Sequence, residues 1–265
     1  MADKHAWRYF SGPYLTAAEA IDRGDTAELK ATARNLDIDA PGRDHMTLLW
    51  YAIVKNQYGA VTALIQLGSN PKAQGAEGLG TPFYVALTRK DPRLLAAMLD
   101  GGLSPNPEGS EDTTPLQWAM RGEEPLAVVQ VLVARGANVN LRDSIGATAL
   151  DAAITSDNPD VGIFLVEHGA DVNARATNGS SSAFGVQMSI DGLQPKANQA
   201  TVSDYTLDKN GHPVVSETTP PPQGATPEGQ ALLRKYEELR ALMIAKGAQF
   251  PPDSPAQVRE QMKIK

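Results

Sequence analysis

A self-similarity with a period of about 33 residues, the length of one short helix-pair unit, constrains this chain more than any other feature. Thr47, Thr81, Thr114 and Thr148 recur at that period, and so do Gly68, Gly102, Gly136 and Gly169. Each interval holds the same parts. A loop leads into Thr47-Leu48-Leu49, Thr81-Pro82-Phe83, Thr114-Pro115-Leu116 or Thr148-Ala149-Leu150, and a short helix is expected there. A turn and a second helix follow, closed by glycine in "LIQLGSNP", "MLDGGLSPN", "LVARGANVN" and "LVEHGADVN". The threonine can accept from the orphan N–H groups of the first helix, and Pro82 and Pro115 sit where a missing N–H costs least. The closing glycines suit the left-handed residue that ends a helix. Counting back from them gives one apolar column of Leu64, Met98, Leu132 and Leu165 and a second of Ile65, Leu99, Val133 and Val166. Val61, Leu94, Leu95, Val128, Val129 and Val161 stand three or four positions earlier, completing the stripe of an amphipathic helix. One unit cannot bury both of its faces, so neighbours must stack. Small residues such as Ala149, Ala152 and Ala153 let them stack closely.

Both ends depart from the pattern. "TAAEAIDRGDTAELKATA" keeps a Gly-Asp between two helices, with Gly24, Gln57 and Lys90 in the same phase of the repeat, but lacks the leading loop, so it reads as an N-terminal cap. Thr16 and Glu19 are expected to form its capping box. At the other end Ser181 falls one period after Thr148, and "NGSSSAFGVQ" reads as the first half of a sixth unit. "ELRALMIAKGAQFP" supplies its second half, with Met243 and Ile244 in the two core columns and Gly247 as the stop. Ser181 to Gly247 is three times as long as Thr114 to Gly136, so about 44 residues are inserted between the two helices of one repeat. Part of them lengthens the second helix back to Thr226-Pro227-Glu228. In "TVSDYTLDKNGHPVVSE", Asn210-Gly211 between two β-prone runs reads as a hairpin, and Pro220 to Pro222 as a stiff loop. Ser254-Pro255-Ala256-Gln257 caps a short terminal helix.

These residues resemble the ankyrin repeat, whose pattern places T-P-L-H-x-A-A near the first helix and L-L-x-x-G-A-D-V-N after the second. The resemblance implies an all-α repeat solenoid of helix-turn-helix units joined by β-hairpin loops. On this chain it gives an N-terminal capping repeat over 1–40 and four repeats at about 41–74, 75–108, 109–141 and 142–176. A split C-terminal repeat follows over 177–250, interrupted at about 190–225, with a short helix over 251–265.

Composition removes several kinds of chemistry. A formal net charge of -7 on 265 residues, with no long Lys/Arg run, argues against nucleic acid, whose phosphates require positive charge. With no cysteine there is no disulfide, thiolate or Cys-based zinc site. His5, His45, His168 and His212 have no second ligand at metal spacing, and His168 reads as a cation at a helix end. "GAEGLGT", residues 75–81, lacks the strand and lysine of a phosphate loop and falls where the repeat needs a turn. "GSSSA", residues 179–183, lacks the second glycine of a nucleophile elbow. Asp143, Asp151 and Asp171 recur at repeat positions as turn and cap residues. No catalytic residue, metal, cofactor or small-molecule substrate is read, and the chain is expected not to be an enzyme. As written, it begins without the apolar segment of a signal peptide, and no window reaches the roughly 18 apolar residues of a membrane span.

Recognition of a protein remains. In an ankyrin stack the hairpin tips and first helices line one concave face whose exposed residues can vary without disturbing the core. By repeat phase the tips are Arg43, Asp44, His45, Glu111, Asp112, Ser144 and Ile145, and the first helices end in Lys55, Arg89 and Arg121. Trp50 and Tyr84 replace the motif histidine, which usually packs, while Tyr51 and Trp118 come one step later, where side chains tend to face the groove. Aromatic side chains are the commonest energetic anchors of interfaces, although Tyr51 and Trp118 can equally fill core, and Trp50 and Tyr84 more readily so. Inserted loops often belong to the binding face, which adds Tyr205, Lys209, Asn210 and His212.

A narrower resemblance lies in Phe10 to Asp25, Thr47 to Gln57, Arg142 to Ile154 and Leu242 to Asp253. These runs look like bacterial ankyrin-repeat immunity proteins that inhibit lipase effectors of the type VI secretion system. The resemblance implies a protein partner, a toxin whose catalytic serine is kept from its substrate. It also implies a periplasmic site if a leader was removed, the chain as written pointing to the cytoplasm. A general bacterial ankyrin adaptor is the alternative. A cryptic hydrolase dependent on His212 or Ser181 is the remoter one.

Overall fold

The computed structural model describes residues 5–74, 80–106, 113–194, 202–207, 213–218 and 226–263. They fall in two compact units, 1–144 and 145–265.

The first unit is four helix pairs: α1 (Gly12–Arg23) with α2 (Thr26–Ala33), α3 (Leu48–Val54) with α4 (Tyr58–Gln66), α5 (Pro82–Thr88) with α6 (Arg93–Asp100), and α7 (Pro115–Ala119) with α8 (Pro125–Ala134). First helices pack on first helices and second on second along the series. The second unit opens with α9 (Ala149–Thr155) and α10 (Pro159–Glu167), followed by α11 (Ser182–Leu193). An antiparallel hairpin of β1 (Val202–Leu207) and β2 (Pro213–Thr218) comes next, Val202 pairing with Thr218 and Leu207 with Pro213. Then come α12 (Pro227–Ala245) and α13 (Pro255–Lys263). The expected turn at Asn210-Gly211, the loop at Pro220 to Pro222, and Glu111 and Asp112 lie outside the described residues.

The local signals act as the spacing predicts. Thr47, Thr81, Thr114, Thr148 and Ser181 each accept a hydrogen bond from the backbone N–H three positions on, at 3.2, 3.1, 3.3, 3.4 and 3.2 Å. Thr114 with Gln117 and Thr148 with Asp151 close reciprocal capping boxes. Gly68, Gly102, Gly136, Gly169 and Gly247 all have φ between 87° and 106°, where a side chain is strained. Loops are stitched from repeat to repeat. Ser69 and the Asn70 N–H donate to Asp39 at 2.6 and 2.9 Å. Asn138 N–H donates to the Asn106 side chain at 2.8 Å, and Asn106 donates to the Gly136 carbonyl at 3.0 Å.

Helix α12 packs on both α10 and α11. Tyr236, Leu239 and Met243 are fully buried. Seven positions before the closing glycine, where other second helices carry Val61, Leu95 and Val129, α10 carries Gly162. A Cβ there would lie 2.9 Å from Cδ2 of Leu239, so the glycine makes room for the returning helix. Asn173 donates to the Gly247 carbonyl at 3.4 Å, as Asn106 does to Gly136 in the first unit. Ser254 and Gln257 form the expected cap of α13, at 2.8 and 3.3 Å.

Two expectations are corrected. Thr16 and Glu19 do not cap α1, which starts four positions earlier at Gly12 because Pro13, lacking an N–H, belongs in a first turn. Ile244 is 49% exposed, whereas Met243 beside it is buried. In the interior, Ile65 of this column is covered by the next repeat, whose Gly101 would bring a Cβ to 2.7 Å of it. Among the described residues α12 is followed by α13, which lays Val258 over Gly179 and bonds Arg259 to the Asn178 carbonyl at 2.8 Å.

Candidate protein-binding site

The sequence-derived aromatics separate into two kinds. Tyr51 is in the core, 1% exposed, with Phe10 edge-on at 5.5 Å and Tyr9 at 6.2 Å. Its hydroxyl donates to Asp22 at 2.9 Å, and burial together with that carboxylate pushes the phenol well above its ordinary range. Lys55 reaches the same Asp22 at 2.6 Å and lies over the Tyr51 ring. Both are therefore parts of a packing cluster that holds the cap to the first full repeat. Trp50 is buried as well.

Tyr84 and Trp118 are placed differently. Tyr84 on α5 is 39% exposed, and its ring meets that of Trp118 on α7 edge-on at 5.1 Å. The Arg121 guanidinium lies 4.2 Å over the Trp118 ring, a cation–π contact. Thr81 and Thr114, by capping α5 and α7, fix the helices that carry the two rings. Gly80 has φ 71° and no side chain to cover Tyr84, so an apolar cavity of about 330 Å³ stays open beside the rings. Phe83, Leu87 and Pro115 complete its wall, and Lys72 lies over the Phe83 ring at 5.9 Å. Phe83 and Lys72 were not singled out from sequence. Arg89 is half-buried at the end of α5.

Arg43, Asp44 and His45 form an exposed single turn, with Asp44 and His45 both at φ 56°, His45 thus doing what glycine does in other repeats. Arg43 also lines a cavity of about 180 Å³ with Tyr9 and Tyr14, for which the run "YFSGPY" was the unread signal. Ser144 is exposed. Ile145 is 59% exposed, its backbone held by Thr177, which donates N–H and hydroxyl to its carbonyl at 3.0 and 2.9 Å. Tyr205 is a β1 residue opposite Val215, while Lys209, Asn210 and His212 lie outside the described residues. Among the described residues no cluster of three or more His, Asp or Glu could hold a metal, and no helix is long and apolar enough to cross a membrane.

A family profile described as "Ankyrin repeats (3 copies)" matches residues 81–176. Residues 81–176 are ankyrin repeats. The chain's fold matches the ankyrin repeat domain of Bcl-3 with a TM-score of 0.55 at 21% identity, covering 92% of each chain. An ankyrin repeat domain from Acinetobacter baumannii AYE matches with a TM-score of 0.53 at 19% identity, over 88% of this chain and 98% of that one. In sequence, Protein PhlB of Serratia liquefaciens is 33% identical over 149 residues, 52% of this chain and 61% of PhlB. Ankyrin repeat and SOCS box protein 11 of Mus musculus is 36% identical over 89 residues, 34% of this chain and 27% of that protein. The ankyrin match thus spans less than two thirds of either relative's length. Ankyrin repeats are protein-binding scaffolds, and no catalytic family is indicated.

Proposed function

We propose that this ankyrin-repeat protein is an immunity protein that binds and inhibits a cognate lipase effector of a bacterial type VI secretion system, acting in the periplasm. The observation that carries partner binding is the Tyr84–Trp118–Arg121 surface, an aromatic and cationic patch left open although Phe83 beside it and Trp50 and Tyr51 of the preceding repeat are buried. Rigid aromatic anchors lower the entropic cost of association. The exposed Arg43–His45 turn, Arg89, and Ser144 and Ile145 add contacts in this reading, whereas Tyr51 and Lys55 serve the core. The lipase assignment is supported by the resemblance of the four runs from Phe10 to Asp253. The reading takes the repeats at about 41–74, 75–108, 109–141 and 142–176, with a cap before them and the split unit after. β1 and β2 lie in the insertion, whose role in contact stays part of the proposal.

The test is co-purification with the lipase encoded beside this gene, followed by lipid hydrolysis with and without the ankyrin protein. Stoichiometric binding with loss of hydrolysis is expected. Trp118→Ala should weaken the complex by about 2 kcal/mol, roughly thirtyfold, as for an interface anchor. A complex that leaves hydrolysis untouched rules out inhibition, and no complex leaves the adaptor alternative in its place.

A further inference from the structure

We infer that the cavity between α5 and α7 is a docking pocket for a single apolar side chain carried on an acidic segment of the protein partner. This rests on the reading of the α5–α7 surface as partner-binding, and not on the partner being a lipase. The cavity, about 330 Å³, is walled by Phe83, Tyr84, Leu87, Pro115 and Trp118, with Lys72 at its rim. Such a wall offers water few hydrogen-bond partners, so an aliphatic side chain displaces it favourably. An aromatic-lined cavity could in principle hold a cation instead. Here two of the three rings already carry one: Lys72 lies 5.9 Å over Phe83 and Arg121 lies 4.2 Å over Trp118. A second positive group would face like charges, whereas carboxylates flanking the inserted side chain would meet complementary ones. Arg121 is exposed, and no carboxylate is paired with it among the described residues. The chain as a whole carries a net charge of -7, so this positive rim reverses the prevailing sign and discriminates between partner segments.

The probe is the full chain labelled with nitrogen-15, read at the indole N–H signal of Trp118, which is assigned by its loss in Trp118→Phe. The acetylated and amidated peptide EDLDE is titrated beside EDSDE, KKLKK and octanoate. EDLDE should shift the signal saturably, with EDSDE and KKLKK at least about tenfold weaker. Arg121→Glu, an exposed change checked for unaltered circular dichroism, should weaken EDLDE by about tenfold and favour KKLKK. The inference is overturned by absence of any shift with EDLDE, by equal binding of EDSDE or KKLKK, or by indifference to Arg121→Glu. Octanoate binding as tightly as EDLDE also overturns it and assigns the pocket to free fatty acids. No effector is present in these titrations, so their failure leaves the inhibition assay to decide the immunity reading, and failure of that assay leaves the peptide result standing.

Discussion

Replacing Gly162 by alanine, alone and together with Leu239→Ala, tests whether α12 is the second helix of the split repeat. The added Cβ would lie 2.9 Å from Leu239 Cδ2 and 3.6 Å from Leu150 Cδ1, in a place where Leu239 is fully buried. Alanine in a helix interior gains about 1 kcal/mol over glycine. Overpacking a filled core costs about 1–3 kcal/mol, so the single change should destabilise by about 1 kcal/mol net. Leu239→Ala opens a cavity and should cost about 3 kcal/mol. In the double variant the clash is gone, the helix gain remains and the methyl refills part of the cavity, worth about 0.8 kcal/mol. The two changes together should therefore cost less than Leu239→Ala alone, with a coupling of roughly 3 kcal/mol. Urea unfolding followed by circular dichroism measures all four corners of the cycle. Additivity within about 0.5 kcal/mol would show that the two residues do not touch, and would remove α12 from its place on α10.

Three further outcomes are expected. Arg93, followed by Tyr58, bonds the Asp91 carboxylate and holds it well below the usual carboxylate range. Its folded value lies below the unfolded one, so its contribution is complete above about pH 4 and is lost as pH falls through the folded value. The urea midpoint of Asp91→Asn should accordingly fall less than that of the native chain between about pH 5 and pH 2, and equal slopes would refute this. Gly101→Ala brings a Cβ to 2.7 Å from Ile65 Cβ and 3.0 Å from the Thr62 carbonyl, groups that cannot rotate aside. A loss of about 2 kcal/mol is expected, and a melting temperature at or above the native one would contradict the repeat stacking there. Tyr236 is fully buried and donates to the Ile154 carbonyl at 3.0 Å and to Asp157 at 2.9 Å, burial pushing its phenol up to about 12. Tyr236→Phe should cost about 1–2 kcal/mol at neutral pH, read as the shift in urea midpoint, and no shift would place the hydroxyl outside this network.

The repeat period, the threonine caps and the left-handed closing glycines were all legible in the amino-acid order. The reason is range: a cap joins residues three apart, a helix stop is a property of one backbone, and an apolar column follows from the helical period. The start of α1 was misplaced within that same range, since Thr16 and Glu19 imitate a box that Pro13 pre-empts. Exposure of a given side chain was not legible. Tyr51 and Trp118 share a repeat phase, as do Trp50 and Tyr84, yet Tyr51 is covered by Phe10 and Tyr9 from the N-terminal segment while Tyr84 stands beside a glycine and stays open. Met243 and Ile244 likewise match the columns equally well, and only the covering or lack of covering by another element divides them. Burial is set by atoms far away along the chain, so the order of residues determined which units form and where they stop. The packing of distant segments decided which of their side chains remain free to meet a partner.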